Sequence, residues 1–600
     1  MGDERITTEH QVVRKALWPR LQVAARRLFN RLPLRERQKI YLLTLLIGGL
    51  CGLAAVSFHL LLDFFQAHFI YAAAAVEHWW RWLLVILVPA LGGLIAGAGL
   101  YFFAPDARGS GIPQVKAAYY LEGGRILARV IPARMLLSAI NIGTGASLGR
   151  EGPTVQICAA LASTLGRLFA VRRRTLQSLV PVGAAAGLAA AFNTPIAAVT
   201  FTLEEILGDA AGKPLGSIVI AAVIAAVVER SILGEHPVFA VPAYRLGEVR
   251  ELFFYALLGC IAGLAAVVFQ AGTLWLRGVT RDQRLVPQWA APGAGGLILG
   301  GVGLLALWLT GSASVFGVGY GQLGDVLQNG APLKVLLVLG ACKLAGTVIS
   351  YGTGSAGGIF GPSLYVGGMI GGAVGLLTQL ALGGQTQPGA FALVGMGAFF
   401  AGVVRAPVTS IIIIFEMTGS YSLILPLMIA NIISYAVAYE LSPVPIYDAL
   451  LRQDGVRLPQ TERETLKQIS VGTAMTDRVV TLAGELRVAE AFDYLNSLPE
   501  THLAYPIVDA GGRLTGLLTY NDLKRTLAQN KGVLTLGEVA ARRLTYVHGD
   551  QTLQTALIRL GRAGVSLLPV VAREDVTKLL GVITTQDIAR ALSDGTESES

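Results

Sequence analysis

Arg150 and Glu151 stand between Gly149 and Gly152, directly before Pro153, inside a long apolar region. Glycine leaves backbone N–H groups free for outside partners, and proline suits the first turn of a helix, where no N–H partner is needed. The stretch reads as a helix N-terminus with unpaired donors at the positive end of a helix dipole. Such an end binds anions, and its one acid sits where the anion would sit. The chemistry suggested is anion binding at a helix start that carries its own acid.

Two further Gly/Pro breaks share this design, Gly109-Ser110-Gly111-Ile112-Pro113 and Gly358-Ile359-Phe360-Gly361-Pro362. Each would present free N–H groups at a helix start, and Ser110 adds a hydroxyl donor. Three such ends converging would hold an anion without a full positive charge, so binding need not become a trap. Other chemistries find no support. The four cysteines, Cys51, Cys158, Cys260 and Cys342, lie far apart in apolar runs. They read as buried structural thiols, with no disulfide framework and no metal site. The seven histidines show no ligand spacing, and no nucleophile–base cluster suggests an enzyme. A cation transporter would need clustered carboxylates or carbonyls; here the breaks offer N–H donors, with Arg150 beside Glu151.

The elements that must position these residues belong to a membrane protein. The chain has 600 residues, 53% hydrophobic and 14% charged, with mean hydropathy +0.58, whereas a soluble domain carries about 25% charge. Seventy-two glycines suit close helix approach and interrupted helices in a bilayer. Residues 1–40 hold ten Lys/Arg against four Asp/Glu, which argues for a cytoplasmic N-terminus and gives no reason to invoke nucleic acid. Residues 12–38 read as a basic amphipathic helix at the membrane surface. No cleavable signal peptide is visible, because the first apolar run begins near Ile40.

Long spans are expected at about 40–65 and 81–104. Beyond them the apolar runs are cut at 109–113, 149–153, 193–195, 352–362 and 405–407. Irregular backbone at membrane depth is tolerated where it lines a cavity, so these read as helices broken in mid-membrane. They also repeat. Gly143-Thr144-Gly145 precedes Pro153 by the same interval as Gly352-Thr353-Gly354 precedes Pro362. Glu204 follows Pro195 by nine residues, and Glu416 follows Pro407 by nine. Residues 40–230 and 250–445 are therefore two versions of one unit, with a transport site expected at their interface. Glu416 reads as a structural acid bonded to backbone at a helix junction. Lys116 and Arg134 are assigned no transport role.

After Pro443 and Pro445 the composition turns polar, and residues 451–470 read as a linker. From 471 a soluble α/β pattern appears twice: Tyr505-Pro506-Ile507-Val508 with 516–523 matches Leu568-Pro569-Val570-Val571 with 581–588. Domains are drawn at 1–39, 40–450, 471–530 and 531–592, with an acidic tail at 593–600.

In this order, GSGIP at 109–113, GREGP at 149–153, FNTP…EE at 192–205, GGIFGP at 357–362 and RAP…EMT at 405–418 resemble the CLC family of chloride channels and chloride/proton exchangers. The C-terminal repeat resembles a pair of CBS domains. The resemblance implies an all-α polytopic membrane domain of two inverted repeats of broken, tilted helices, followed by a cytoplasmic α/β CBS pair. It matches Ser110, the N–H groups of Ile359 and Phe360, and the Tyr447 hydroxyl to the central chloride site. Arg150 and Gly152, in the GREGP turn, join the chloride-binding set. Glu151 matches the external gating glutamate. Glu205 matches the internal proton-transfer glutamate of the exchanger branch. Ser110 stands where the nitrate-preferring branch has proline, and intact GREGP departs from the fluoride-exporting branch. Thr519, Asp522, Thr584 and Asp587 resemble the T-x-x-D positions that touch an adenine nucleotide in some CBS pairs; no other cofactor is implied.

The expected protein is a proton-coupled chloride antiporter, a homodimer with one pathway per subunit and a regulatory CBS pair, multi-pass in a bacterial inner membrane. A passive gated chloride channel of the same fold is the alternative, and Glu205 favours the exchanger. A CBS-containing cation transporter is the more distant one.

Overall fold

The computed structural model describes residue 27 and residues 33–594, apart from 209–213, 236–237, 240, 243, 245–247, 284, 384–385, 420, 459–465, 468, 499–503 and 542–543. Most of the surface helix expected at 12–38, and the end of the acidic tail, fall outside the described residues. The chain divides into two compact units, Met1–Val456 and Arg457–Ser600.

The first unit is helical, and its helices fall into two series. The first comprises α1 (Glu36–Phe65), α2 (Arg81–Phe102), α3 (Ile112–Tyr120), α4 (Val130–Gly143), α5 (Glu151–Leu168), α6 (Arg173–Phe192), α7 (Pro195–Phe201) and α8 (Leu215–Leu233). The second comprises α9 (Glu251–Asp282), α10 (Ala291–Thr310), α11 (Tyr320–Asn329), α12 (Leu333–Gly352), α13 (Phe360–Leu382), α14 (Pro388–Val404), α15 (Pro407–Thr418) and α16 (Ile424–Leu441). A short helix, α17 (Ile446–Gln453), closes the unit, so helix occupies the first residues of the stretch read as a linker. Among the described residues, nine helices are long and apolar enough to cross a membrane. Leu83, Leu87, Leu91 and Ile95 keep one face of α2 exposed and apolar at helical spacing. The unit is a multi-pass membrane domain.

Its interior is built on α5, α6, α13 and α14. α6 is buried over most of its length, whereas α8 turns much of its surface outward. Small residues permit this depth. A Cβ on Gly183 of α6 would lie 2.4 Å from the Cys158 carbonyl of α5, and one on Gly371 of α13 would lie 2.1 Å from the Phe391 carbonyl of α14. Close backbone approach of this kind is how membrane helices gain packing. Cys51, Cys158 and Cys342 are buried as expected, but Cys260 is exposed, because α9 turns part of its length outward.

The repeat is visible in conformation as well as spacing. Asn193 and Arg405 end α6 and α14 in the left-handed region, at φ 56° and 68°, and a Pro-led helix follows each. Asparagine tolerates this region. Arg405 is held there by its own guanidinium, which donates to the carbonyls of Gly402 at 2.8 Å and Ser442 at 2.7 Å.

The second unit contains two three-stranded sheets. β1 (Leu482–Ala483) runs parallel to β2 (Ala504–Val508), which pairs antiparallel with β3 (Leu514–Thr519). β4 (Val547–His548), β5 (Leu567–Val571) and β6 (Leu579–Thr584) repeat the arrangement. Each set carries two principal helices: α18 (Val488–Asn496) and α19 (Tyr520–Ala528) in the first, α20 (Leu553–Ala563) and α21 (Thr585–Asp594) in the second. The cores exchange segments. Val471 packs with Val547, Leu568 and Ile583, while Leu536 packs with Tyr505, Ile507 and Leu518. Each short apolar segment thus covers the half that its own sequence position does not suggest.

Candidate functional site

The three Gly/Pro breaks meet. Gly149 and Gly358 exchange backbone hydrogen bonds, Gly149 N–H to Gly358 O at 2.6 Å and Gly358 N–H to Gly149 O at 2.7 Å. This isolated antiparallel bridge sets the equivalent stretches running in opposite directions, as inverted repeats require. It also places the starts of α5 and α13 side by side. The third break is pressed against the first: a Cβ on Gly152 would lie 2.1 Å from the Ser110 carbonyl. Gly111, at φ 100°, opens α3, with its N–H taken by Gln114 Oε1 at 2.8 Å.

The side chain of Glu151 is fully buried among these starts. Tyr320 Oη donates to Glu151 Oε1 at 2.6 Å, and the Gly361 N–H donates to Oε2 at 3.3 Å. The carboxylate therefore occupies the N-terminus of α13, from the other repeat. The N–H groups of Ile359 and Phe360 belong to the same start and have no backbone acceptor among the described residues. Phe360 is anchored by its ring, 4.2 Å from Phe400 and 4.8 Å from Phe192 between centroids.

Ser110 and Tyr447 are fully buried, and neither hydroxyl has a hydrogen-bond partner among the described residues. The two hydroxyls face one another without a well-formed hydrogen bond between them, and Tyr447 lies within electrostatic reach of Glu151 and Glu205. Buried polar groups are normally satisfied, so two orphan hydroxyls beside two buried helix starts form a donor set without a protein acceptor. Such a set suits a small anion.

Arg150 points elsewhere. Its guanidinium donates to the Ala191 carbonyl at 3.2 Å and lies 6.0 Å from the Tyr320 ring centre. With His59, Asp63, Asn193, Glu229 and Tyr320 it lines a cavity of about 370 Å³. Arg150 therefore addresses the approach to Glu151, while Gly152 lies against Ser110.

Glu205 lies on the π-helical turn Thr202–Leu207 that continues α7. It does not stand alone: Lys116 Nζ donates to Glu205 Oε1 at 2.7 Å and to Asp448 Oδ1 at 2.6 Å. Lys116, given no role from sequence, is the direct partner of the acid. Its neighbour Glu204 turns away and caps the second repeat. The carboxylate of Glu204 accepts from the N–H groups of Val408 at 3.2 Å and Thr409 at 2.8 Å, at the start of α15. Glu416 reciprocates at the start of α7, accepting from Ile196 at 3.0 Å and Ala197 at 2.7 Å. Glu416 is backbone-bonded as expected, but to the opposite repeat.

Two buried basic residues complete the surroundings. Arg134 donates to the carbonyls of Ala107 and Gly109, and Lys343 to those of Ser314, Val315 and Gly317. Three carbonyls satisfy the three donors of an ammonium. Among the described residues neither forms a salt bridge, and Lys343 lies within electrostatic reach of Glu151. Each stands nine residues before the first glycine of its Gly-Thr-Gly, Gly143 or Gly352. That equal spacing is the signal in the sequence that would have linked them. Both tie down the loop before a helix start, and both favour negative charge nearby.

Thr519, Asp522, Thr584 and Asp587 belong to the second unit. Thr519 Oγ1 donates to Asp522 Oδ2 at 2.5 Å while the Asp522 N–H donates back at 3.1 Å. Thr584 and Asp587 do the same at 2.7 and 3.1 Å. Each pair is a capping box that starts a helix, so the helices begin beside the threonines.

Comparison with known proteins identifies the family. The H(+)/Cl(−) exchange transporter ClcA of Vibrio campbellii is 37% identical over 389 residues, 62% of this chain and 80% of that protein. A putative chloride channel protein, ClcB-like, of Ralstonia nicotianae is 34% identical over 396 residues, 65% of this chain and 90% of the relative. Among solved structures, a slow cyanobacterial Cl−/H+ antiporter superposes with a TM-score of 0.64 at 26% identity, covering 70% of this chain and 98% of the other. Residues 468–529 and 536–594 match the CBS domain. Residues 92–439, the stretch that holds the three helix starts and most of both repeats, match the voltage-gated chloride channel family, and the chain belongs to it.

Proposed function

We propose that this protein exchanges chloride for protons across the membrane, with Glu151 as the group that competes with chloride and carries the proton. The observation that carries the reading is the seat of Glu151, a buried carboxylate on the N-terminus of the opposite repeat, held by Tyr320 and Gly361. A chloride ion would be held by Ser110, Tyr447 and the N–H groups of Ile359 and Phe360, with Gly152 in contact with Ser110. Arg150 draws anions toward the cavity at Glu151. When Glu151 takes a proton it loses its attraction to the helix start and yields the place to chloride; when it releases the proton it returns. One group thus couples the two ions. Glu205 passes the proton at the inner side. The exchangers among the relatives support this reading.

The basic N-terminus and the CBS pair face the cytoplasm of a bacterial inner membrane, and two copies form a homodimer with one pathway each. The CBS pair regulates transport, with an adenine nucleotide as its ligand.

The test is flux in liposomes. A chloride gradient is expected to drive protons against their own gradient, and Glu205→Gln is expected to keep chloride movement while losing the proton signal. Chloride movement with a flat proton trace in the parent protein would establish the passive channel instead.

A further inference from the structure

The cluster of Lys116, Glu205 and Asp448 draws one group from each of three elements. Lys116 lies on α3, Glu205 on the turn after α7, and Asp448 on α17 next to Tyr447. The Lys116 ammonium donates to both carboxylates, at 2.7 and 2.6 Å. The three differ in access: the side chains of Lys116 and Glu205 are 4% and 6% exposed, that of Asp448 25%. Two acids on one buried base is more negative charge than the base requires, and the excess needs an explanation.

We propose that Asp448 is the standing counter-charge of Lys116, a positioning residue that lets Glu205 take up a proton. The proposal rests on the exchanger reading and deepens its inner half. With both carboxylates ionised and Lys116 protonated, the cluster carries a net charge of −1. One proton bound at Glu205 makes it neutral, and the Lys116–Asp448 pair remains intact. Without Asp448 the same proton would leave Lys116 as a lone buried cation, which is strongly disfavoured. Asp448 therefore converts Glu205 from the obligate partner of a lysine into an acid that can titrate. Its partial exposure lets its own charge be solvated throughout the cycle.

Other charged and titratable groups around the pair do not replace it. Glu204 is engaged by Val408 and Thr409. α3 adds Tyr119 and Tyr120, whose hydroxyl donates to the Leu207 carbonyl at 2.6 Å. α17 adds Tyr447 and Arg452. α9 adds Arg277 and Arg281, both bound to Asp454, at 2.7 and 3.0 Å. α6 opens with Arg173 and Arg174, and α7 and α14 carry no titratable side chain.

The experiment records proton and chloride flux together in liposomes holding the full chain, as inner pH is varied. With Asp448 neutralised, the charge of Lys116 acts on Glu205 alone, and an opposite charge within contact distance lowers a carboxyl by about 1–3 pH units. Asp448→Asn is therefore expected to require at least about tenfold more inner protons for half-maximal proton transport. Lys116→Met/Asp448→Asn removes both charges and is expected to reverse that shift. If Asp448→Asn alone does not assemble, Lys116→Met against the double variant decides. Loss of the acid should again lower the inner-pH midpoint, there by removing a like charge from beside Glu205. A proton profile unchanged by Asp448→Asn, a double variant that keeps the single variant's shift, or equal loss of both fluxes without a shifted profile would overturn the proposal. A parent chain that moves no protons would instead defeat the exchanger reading itself, and this inference with it.

Discussion

Tyr320 and Gly361 divide the two oxygens of Glu151 between them. A hydrogen bond to a charged group contributes about 1.5–3 kcal/mol, and the one from Tyr320 acts only on the seated, ionised carboxylate. Tyr320→Phe removes that donor and leaves the ring. Chloride should then displace Glu151 more easily, with apparent chloride affinity rising about tenfold, each 1.4 kcal/mol being a factor of ten. Acid activation of flux should begin at higher pH on the side that Glu151 faces. Chloride titrations of flux by parent and variant test this, and coincident curves would remove Tyr320 from the gate. Glu151 and Ser110 were legible because glycine and proline mark their helix starts in the sequence itself, and Tyr447 through the family resemblance. Tyr320, Lys116 and Asp448 were not, because their partners lie 169, 89 and 332 residues away. No local pattern encodes a contact made only by folding.

Helices α7 and α15 are short, Pro-led and buried in part, and each has its first N–H groups satisfied by an acid of the other repeat. A carboxylate at a helix start stabilises by about 0.3–2 kcal/mol, so the two repeats are fastened by equivalent clasps, Glu204 on α15 and Glu416 on α7. Glu416→Gln and Glu204→Gln should each lower the thermal unfolding midpoint of the detergent-solubilised protein, by similar amounts, and leave the ratio of chloride to protons unchanged. A changed ratio with an unchanged midpoint would put the acid on the proton route instead. The interval from proline to glutamate was readable in both halves and identified the repeat. What it could not show is that each glutamate serves its counterpart's helix, since equal spacing is also what two self-contained motifs would have. In the second unit the strand pattern was readable, while the segment exchange involving Val471 and Leu536 was not. Short apolar segments carry no label for the core they will join.

The whole chain joins a membrane domain, read from its Gly/Pro breaks, to a CBS pair, read from its doubled strand pattern. If the pair binds an adenine nucleotide, adding it to the full-length protein should raise the unfolding temperature of the second unit in a saturable way. A ligand at a hundred times its dissociation constant stabilises by about 2.7 kcal/mol. Asp522→Asn and Asp587→Asn together should abolish the rise; an unaltered melt at saturating ATP would leave the pair a scaffold. The two hydrogen bonds between Gly149 and Gly358 bear on how the membrane unit can move at all. Many transporters alternate access by rocking one half against the other around a central site. Here the halves are stitched at that site, and rocking them apart would strand four buried backbone groups, at about 1–3 kcal/mol for each group left unsatisfied. A machine with its seam at the centre resists opening there. On the proposed mechanism, turnover is then carried by a part small enough to move within the seam, and the side chain of Glu151 is of that size.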